Sequence, residues 1–207
     1  MKRCIIIGSM PVETDLKNIV LSDDTVYCAD GGYIEAQKQG ITPHIVVGDF
    51  DSSPQPDNLS AEIVKLPVVK DDTDTYYIAR EIVKAGFTHA VFFGVTGGRP
   101  DHTFANLQML KFLAKNGIEA KIIDKNSTYT VIKNGGITLP PQDNCYFSVF
   151  SLDEKCTGVS EKGGKYELSD VELTNDFPIG VSNEFKGIPV TISVKNGSLL
   201  IITTKKD

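Results

Sequence analysis

A chain of 207 residues is long enough to bury a core without covalent staples, and its size fits one domain with a smaller companion. Its hydrophobic content of 41% and charged content of 23% are those of a globular protein, while a formal net charge of −6 argues against nucleic acid or an anionic membrane as a partner. The apolar run at Cys4–Gly8 is too short for a signal peptide or a membrane span, and the four cysteines form no CxxC pair, so buried free thiols in a reducing cytoplasm are expected.

Along the chain, Cys4–Gly8 and Val26–Ala29 read as short buried strands. The second ends in Asp30-Gly31-Gly32 and leads into a predicted helix over Gly31–Gln39, stopped by Gly40. His44–Gly48 is strand again, followed by Asp49-Phe50-Asp51-Ser52 and a Pro- and Asp-rich loop over 52–60. Ile63–Val69 is strand-like but bent by Pro67, and Thr73–Ala85 carries a helical stripe at Ile78, Ile82 and Val83, with Asp71 or Asp72 placed to cap it. Ala90–Val95 is a strand. Gly97-Gly98-Arg99-Pro100-Asp101-His102 then opens a helix over Asp101–Asn116, with Phe104, Leu107, Leu110 and Leu113 on one side, and Glu119–Asp124 is a further strand. From Asn134 the helical period disappears. Short β runs follow at Tyr146–Phe150, Lys165–Leu168, Val190–Val194 and Leu199–Thr203, and Lys195-Asn196-Gly197 predicts a hairpin between the last two. The expected architecture is an α/β domain over 1–133 and an all-β domain over 134–207.

Four turns carry the chemistry. In extended backbone, residues two apart point the same way, so Asp49 and Asp51 can offer two carboxylates to one ion. Lys70-Asp71-Asp72-Thr73-Asp74 puts three carboxylates in four residues, more than a helix cap needs. Gly97 and Gly98 allow close approach of backbone to a ligand, Arg99 offers a fork for phosphate oxygens, and Asp101 sits at a helix start. Asp30-Gly31-Gly32 is a looser turn of the same kind. In open α/β sheets ligands bind beyond the carboxyl ends of the strands, so these turns are expected to converge on one acidic pocket that needs a divalent cation. His44 and His89 are isolated, and neither a P-loop, a zinc pattern nor a Gly-x-Ser-x-Gly elbow is present in the sequence.

With these motifs in this order the chain resembles the thiamine pyrophosphokinase family. The resemblance rests on Ala29-Asp30-Gly31-Gly32, Gly48-Asp49-Phe50-Asp51-Ser52, Asp71-x-Thr73-Asp74, Gly97-Gly98-Arg99-x-Asp101-His102 with Asn106 and Leu107, and Ser182-Asn183-Glu184-Phe185. It implies a Rossmann-like α/β nucleotide-binding domain with a mostly parallel sheet, a β-sandwich-like C-terminal domain, and a homodimer whose thiamine site lies at the subunit interface. It further implies magnesium-dependent transfer of pyrophosphate from ATP to thiamine, giving thiamine diphosphate and AMP. Carried over by position, Asp49, Asp51, Asp71 and Asp74 would hold magnesium and the triphosphate. Asp30, Gly31, Gly32, Gly97, Gly98 and Arg99 would support the nucleotide, and Asp101, Asn106, Ser182 and Asn183 would face thiamine. Asp74, Asp101 and Arg99 form the expected catalytic set, with Asp74 or Asp101 as acceptor of the hydroxyl proton.

Tyr33 and Ile34 depart from the small residue and Asn that many family members carry after the Asp-Gly-Gly turn. The chain also has no Trp to stack on the aminopyrimidine, which leaves Tyr or Phe, with Phe185 the candidate. Two other readings fit single motifs: a DxD glycosyl- or nucleotidyltransferase, and a nucleotide- or thiamine-sensing module without catalysis.

Overall fold

Three apolar runs in the first half of the chain show no alternation, which is how strands buried on both faces read. In the computed structural model, which describes residues 2–51, 54, 59–69 and 71–206, all three are parallel strands. Most of the predicted 52–60 loop, including Ser52, lies outside the described residues, as does Lys70. The chain forms two compact units, Met1–Met109 with Asn116–Lys125 and Leu110–Lys115 with Asn126–Asp207.

The first unit holds β1 (Arg3–Ile7), β2 (Thr25–Ala29), α1 (Gly32–Lys38), β3 (Ile45–Gly48), β4 (Glu62–Lys65), α2 (Asp74–Lys84), β5 (His89–Phe93), the first part of α3 (Pro100–Lys115) and β6 (Glu119–Ile123). Its strands are parallel and ordered β6-β5-β1-β2-β3-β4, so the direction of winding reverses at β1. Ile5, Ile7, Val26, Cys28, Val46, Val91 and Phe93 share one core with Leu16, Tyr33 and Ala36. Cys4 and Cys28 are free and buried, and burial pushes both thiols up to about 12, so neither is a nucleophile at neutral pH.

Two helix details differ from the sequence reading. Thr73, not Asp71 or Asp72, caps α2: its extended backbone lets the hydroxyl accept from Tyr76 N–H at 3.2 Å. That leaves the neighbouring carboxylates for other duties. In α3, Phe104 is 62% exposed, and the buried stripe runs through Asn106, Met109, Leu110 and Leu113 instead. The stripe keeps its helical spacing but starts on a polar residue.

The second unit contains β7 (Ser127–Lys133), β8 (Gly136–Leu139), β9 (Cys145–Ser151), β10 (Lys155–Lys162), β11 (Leu168–Thr174), β12 (Asn183–Glu184), β13 (Val190–Ser193) and β14 (Ser198–Lys205). They pair antiparallel in the orders β12-β9-β14-β7 and β11-β10-β13-β8. Phe147, Val149, Leu199 and Ile201 from one set pack with Leu139, Cys156, Val159, Leu173, Val190 and Ile192 from the other in a single core. The unit begins before β7, because that strand pairs with β14 along its whole length. The last turns of α3 belong here too, with Lys111 Nζ donating to Leu152 O at 2.6 Å and pairing with Asp153 at 2.8 Å.

Lys195-Asn196-Gly197 does not close a hairpin. β13 pairs with β8 and β10 while β14 pairs with β7 and β9, so the turn carries the chain from one strand set to the other. Asn134 Oδ1 accepts from Gly197 N–H at 2.8 Å, and Gly197 has φ 117°, which a side chain would resist. The predicted run Lys165–Leu168 only touches the start of β11, whereas β7, β8 and β10 carry no sequence expectation at all. No helix of the described residues is long and apolar enough to cross a membrane.

One glycine sets the entry to α1. A Cβ on Gly32 would overlap the Ile7 carbonyl at the end of β1. Gly32→Ala is therefore expected to cost about 1–3 kcal/mol in urea unfolding, as overpacking does. Gly135→Ala, at a position whose added Cβ meets only Lys133 O at 3.6 Å, is the matched control and should change stability by about 0.5 kcal/mol or less.

Candidate active site

Parallel strands deliver all their carboxyl ends to one edge of a sheet, and there the first unit has a pocket of about 640 Å³. Gly8, Ser9 and Met10 reach it from β1, Ala29 and Asp30 from β2, and Asp49 and Asp51 from β3. Val68, Asp72, Thr73, Asp74 and Thr75 line it between β4 and α2; Gly94, Val95, Gly97, Gly98 and Arg99 follow β5; His102 and Asn106 project from α3. Of the residues expected from sequence, Asp30, Asp49, Asp51, Asp74, Gly97, Gly98, Arg99 and Asn106 meet on this one wall. Gly31, Gly32, Asp71 and Asp101 are not among the lining residues, and Asp72 stands where Asp71 was expected.

Backbone geometry explains how the turns come together. Asp30 (φ 46°) and Phe50 (φ 57°) both occupy the left-handed region, which costs a non-glycine residue energy and recurs at functional sites. Asp30 N–H donates to Val47 O at 2.7 Å, and a Cβ on Gly48 would stand 3.0 Å from Asp30 Cα. Gly48 is thus the space that lets the Asp30 turn cross the end of β3. Asp49 Oδ1 accepts from Asp51 N–H at 3.3 Å, which holds the DxD turn. Across the pocket, Gly8 N–H donates to Phe93 O at 2.8 Å and Met10 N–H to Gly94 O at 3.0 Å, tying the β1 and β5 loops. Gly98 has φ 61°, a conformation that a side chain would resist, and a Cβ there would also push aside the flexible Met10 side chain, whose sulfur lies 2.6 Å away. Asn106 Nδ2 donates to Val95 O at 2.7 Å from a 5% exposed position, pinning the loop that carries Arg99.

The charges are arranged unevenly. Arg99 forms a two-point pair with Asp101, Nε to Oδ1 at 3.2 Å and Nη2 to Oδ2 at 2.6 Å. The guanidinium, with the His102 N–H as a second donor, holds the Asp101 carboxyl down to about 2. Asp72 is paired with Arg80 at 2.9 Å. Asp30, Asp49, Asp51 and Asp74 add four more carboxylates to the same pocket. Every candidate metal donor is a hard oxygen, a set that suits a hard divalent cation such as magnesium. Among the described residues no three carboxylate, His or Cys groups form a ready-made metal cage.

The Ser182-Asn183-Glu184 segment lies in the second unit. Ser182 has φ 60°, and its N–H donates to Ser148 Oγ at 3.0 Å. Asn183 is 5% exposed, while Glu184 is held down to about 2 by Lys165 and Lys206 at 2.5 and 2.7 Å. The Phe185 ring packs edge-on against Phe147, 5.1 Å between centroids. The two isolated histidines have local partners: His44 Nδ1 accepts from Val26 N–H at 3.0 Å, and His89 Nδ1 lies 2.9 Å from Thr88 Oγ1.

Sequence reading missed the β1 loop, Gly8–Met10. The available signal was Gly8 directly after an apolar strand, the same strand-then-turn pattern as the other four motifs. The Arg99–Asp101 pair yields a direct test. In Arg99→Gln, the Asp101 carboxyl should rise from about 2 toward the ordinary aspartate value of about 3.9 in a 13C-detected NMR titration. An unmoved midpoint would mean the pair does not form in solution.

Comparison with known proteins agrees with this arrangement. Residues 16–122 match the family model described as thiamin pyrophosphokinase, catalytic domain, and residues 136–199 match thiamin pyrophosphokinase, vitamin B1 binding domain. A thiamine pyrophosphokinase of Bacillus subtilis is 27% identical over 179 residues, covering 84% of each chain. The solved structure of the Bacillus subtilis enzyme superposes with a TM-score of 0.90 at 25% identity over 99% of both chains. That of the thiamin pyrophosphokinase from Geobacillus thermodenitrificans gives 0.87 at 26% identity, over 100% of this chain and 99% of that one. With its catalytic-domain match spanning more than half of the residues and the second model matching most of the remainder, the chain belongs to the thiamin pyrophosphokinase family.

Proposed function

We propose that this protein is a thiamine pyrophosphokinase that moves a pyrophosphoryl group from ATP to the hydroxyl of thiamine, releasing thiamine diphosphate and AMP. The observation that carries the reading is the convergence of Asp30, Asp49, Asp51, Asp72 and Asp74 with Arg99 at the carboxyl edge of a parallel sheet. The reversal of strand order at β1 supports a Rossmann-like description of this unit, since crevices for nucleotides open where winding reverses.

In this reaction the hydroxyl oxygen bonds to the β-phosphorus as the bond from that phosphorus to the α–β bridging oxygen breaks, and the bridging oxygen leaves with AMP. Positioning and charge neutralisation do most of the work. Asp49, Asp51 and Asp74, with Asp71 nearby in sequence, are the residues that would hold magnesium, and the substrate phosphates would complete its shell. Bound there, the ion neutralises charge on the triphosphate. Arg99 holds phosphate oxygens after exchanging Asp101 for substrate, and the N-terminal end of α2 favours the same anion. Of the two carboxylates considered for the hydroxyl proton, Asp74 lines the pocket and Asp101 does not, so the role falls to Asp74. Ser182 contacts thiamine.

The family's homodimer is also adopted here. Phe177, Ile179 and Val181, 64%, 55% and 48% exposed, form an apolar run leading directly to Ser182, the kind of surface a second subunit covers. Four free cysteines, three of them buried, support a cytoplasmic setting.

Incubation with ATP, magnesium and thiamine should yield thiamine diphosphate and AMP in equal amounts, with turnover abolished by chelation. Asp74→Asn should lower kcat by about 100-fold or more, the scale of a lost general base. ADP with thiamine monophosphate would show attack at the γ-phosphorus instead, and metal-dependent nucleotide binding without turnover would favour a sensor or another transferase. In sedimentation velocity the wild type should run as a dimer, and Phe177→Asp combined with Ile179→Asp as a monomer.

A further inference from the structure

The second unit buries an acid that the proposed chemistry does not use. Glu161, on β10, is 1% exposed. Its Oε2 accepts from Asn183 Nδ2 at 3.0 Å, and Oε1 has no hydrogen-bond partner among the described residues. Burial pushes the carboxyl up, and the hydrogen bond from Asn183 opposes that only in part. A side chain kept at such cost has something to hold.

What it holds is the Asn183 carboxamide. Nδ2 also donates to Tyr166 O at 2.6 Å, while Oδ1 accepts from Tyr166 N–H at 3.0 Å and from Glu184 N–H at 2.9 Å. Both amide hydrogens and both carbonyl lone pairs are then engaged, and none remains for a ligand. Gly164 makes room for both the Phe147 ring and the carboxamide, because a Cβ there would lie 2.7 Å from Phe147 Cζ and 2.9 Å from Asn183 Nδ2. One residue earlier, Ser182 sits at φ 60°, a conformation serine does not hold without support on both sides.

We infer that Glu161 and Asn183 form a buried clamp that fixes the backbone on the C-terminal side of Ser182 and so presents the Ser182 hydroxyl to thiamine. Asn183 is a positioning residue and not a thiamine ligand, and Glu161 is the positioning residue behind it. The inference rests on the reading that Ser182 contacts thiamine. Loosening the clamp weakens thiamine and leaves ATP alone, since every atom in it belongs to the β unit while the acidic pocket belongs to the other.

The test is steady-state kinetics with magnesium-ATP, varying thiamine and ATP in turn. In Glu161→Leu the thiamine KM should rise about ten-fold, the worth of one lost buried hydrogen bond, while the ATP KM stays within about two-fold. The conservative Glu161→Gln keeps an acceptor for Asn183 and should restore the thiamine KM to within about two-fold of the wild type. Gly164→Ala crowds the carboxamide and the Phe147 ring without opening a cavity and should also raise the thiamine KM selectively, which covers the case in which Glu161→Leu does not fold. Lower melting temperature or kcat with an unchanged thiamine KM in the variants would overturn the clamp alone. A wild type that neither turns over nor binds thiamine by calorimetry would overturn the functional reading, and the clamp with it.

Discussion

Six parallel strands, four of them (β1, β2, β3 and β5) buried along almost their whole length, leave the chain no choice about where its polar connections go. Each strand must be re-entered from the same end, so every turn that follows a strand emerges at one edge of the sheet. Cys4–Ile7 at 0% exposure shows how completely β1 is withdrawn from solvent. Because winding reverses at β1, the loops after β1 and β5 depart to opposite sides and a crevice opens between them. The hydrogen bonds from Gly8 to Phe93 and from Met10 to Gly94 keep the two loops from separating further. Five aspartates scattered from residue 30 to residue 74 thereby share one pocket.

That convergence strains the backbone in informative places. Among the described residues six non-glycine positions have positive φ, and four are Asn or Asp, whose short polar side chains ease that conformation. The other two are Phe50, between the paired aspartates, and Ser182, beside the buried clamp. Neither side chain accounts for the geometry by itself. In both cases the surrounding hydrogen bonds impose it: the Asp49–Asp51 turn around Phe50, and Ser148 together with the Asn183 network around Ser182. Strain of this kind, of order 1–3 kcal/mol per residue, persists where a site needs an atom aimed in one direction.

Two carboxyls close in sequence to, or in contact with, that second strained turn are managed in opposite ways. Glu184 lies between Lys165 and Lys206 and is held at about 2, ionised throughout the physiological range. Glu161 is withdrawn from water, and burial raises its pKa. The half-buried Glu184 keeps its charge because lysines and solvent share it; the buried Glu161 serves best as a hydrogen-bonding group. In the first unit Arg99 does for Asp101 what the lysines do for Glu184, and substrate phosphate would compete for the same guanidinium.

Much of this was written locally. Uninterrupted apolar runs marked β1, β2 and β5, and glycine after a helical stripe marked the ends of α1, α2 and α3, because burial on two faces and left-handed caps each demand particular residue types. The acidic turns were legible for the same reason, as polar residues placed directly after buried strands. Other features depend on partners distant in sequence. Whether Thr73 or an aspartate caps α2 follows from backbone angles, not composition. Whether Lys195-Asn196-Gly197 closes a hairpin depends on which strands lie ready to receive β13 and β14, and those are β8, β10, β7 and β9. Asn183 reads in sequence as one more polar residue in a motif. Only the fold, by bringing Glu161, Gly164 and Tyr166 around it, consumes its hydrogen bonds and turns it inward. The sequence by itself therefore determined which segments are buried and where the acidic and glycine-rich turns follow them, since these follow from residue type and local period. Only the tertiary structure decided which polar groups remain available to a ligand, since that depends on hydrogen bonds between residues far apart along the chain.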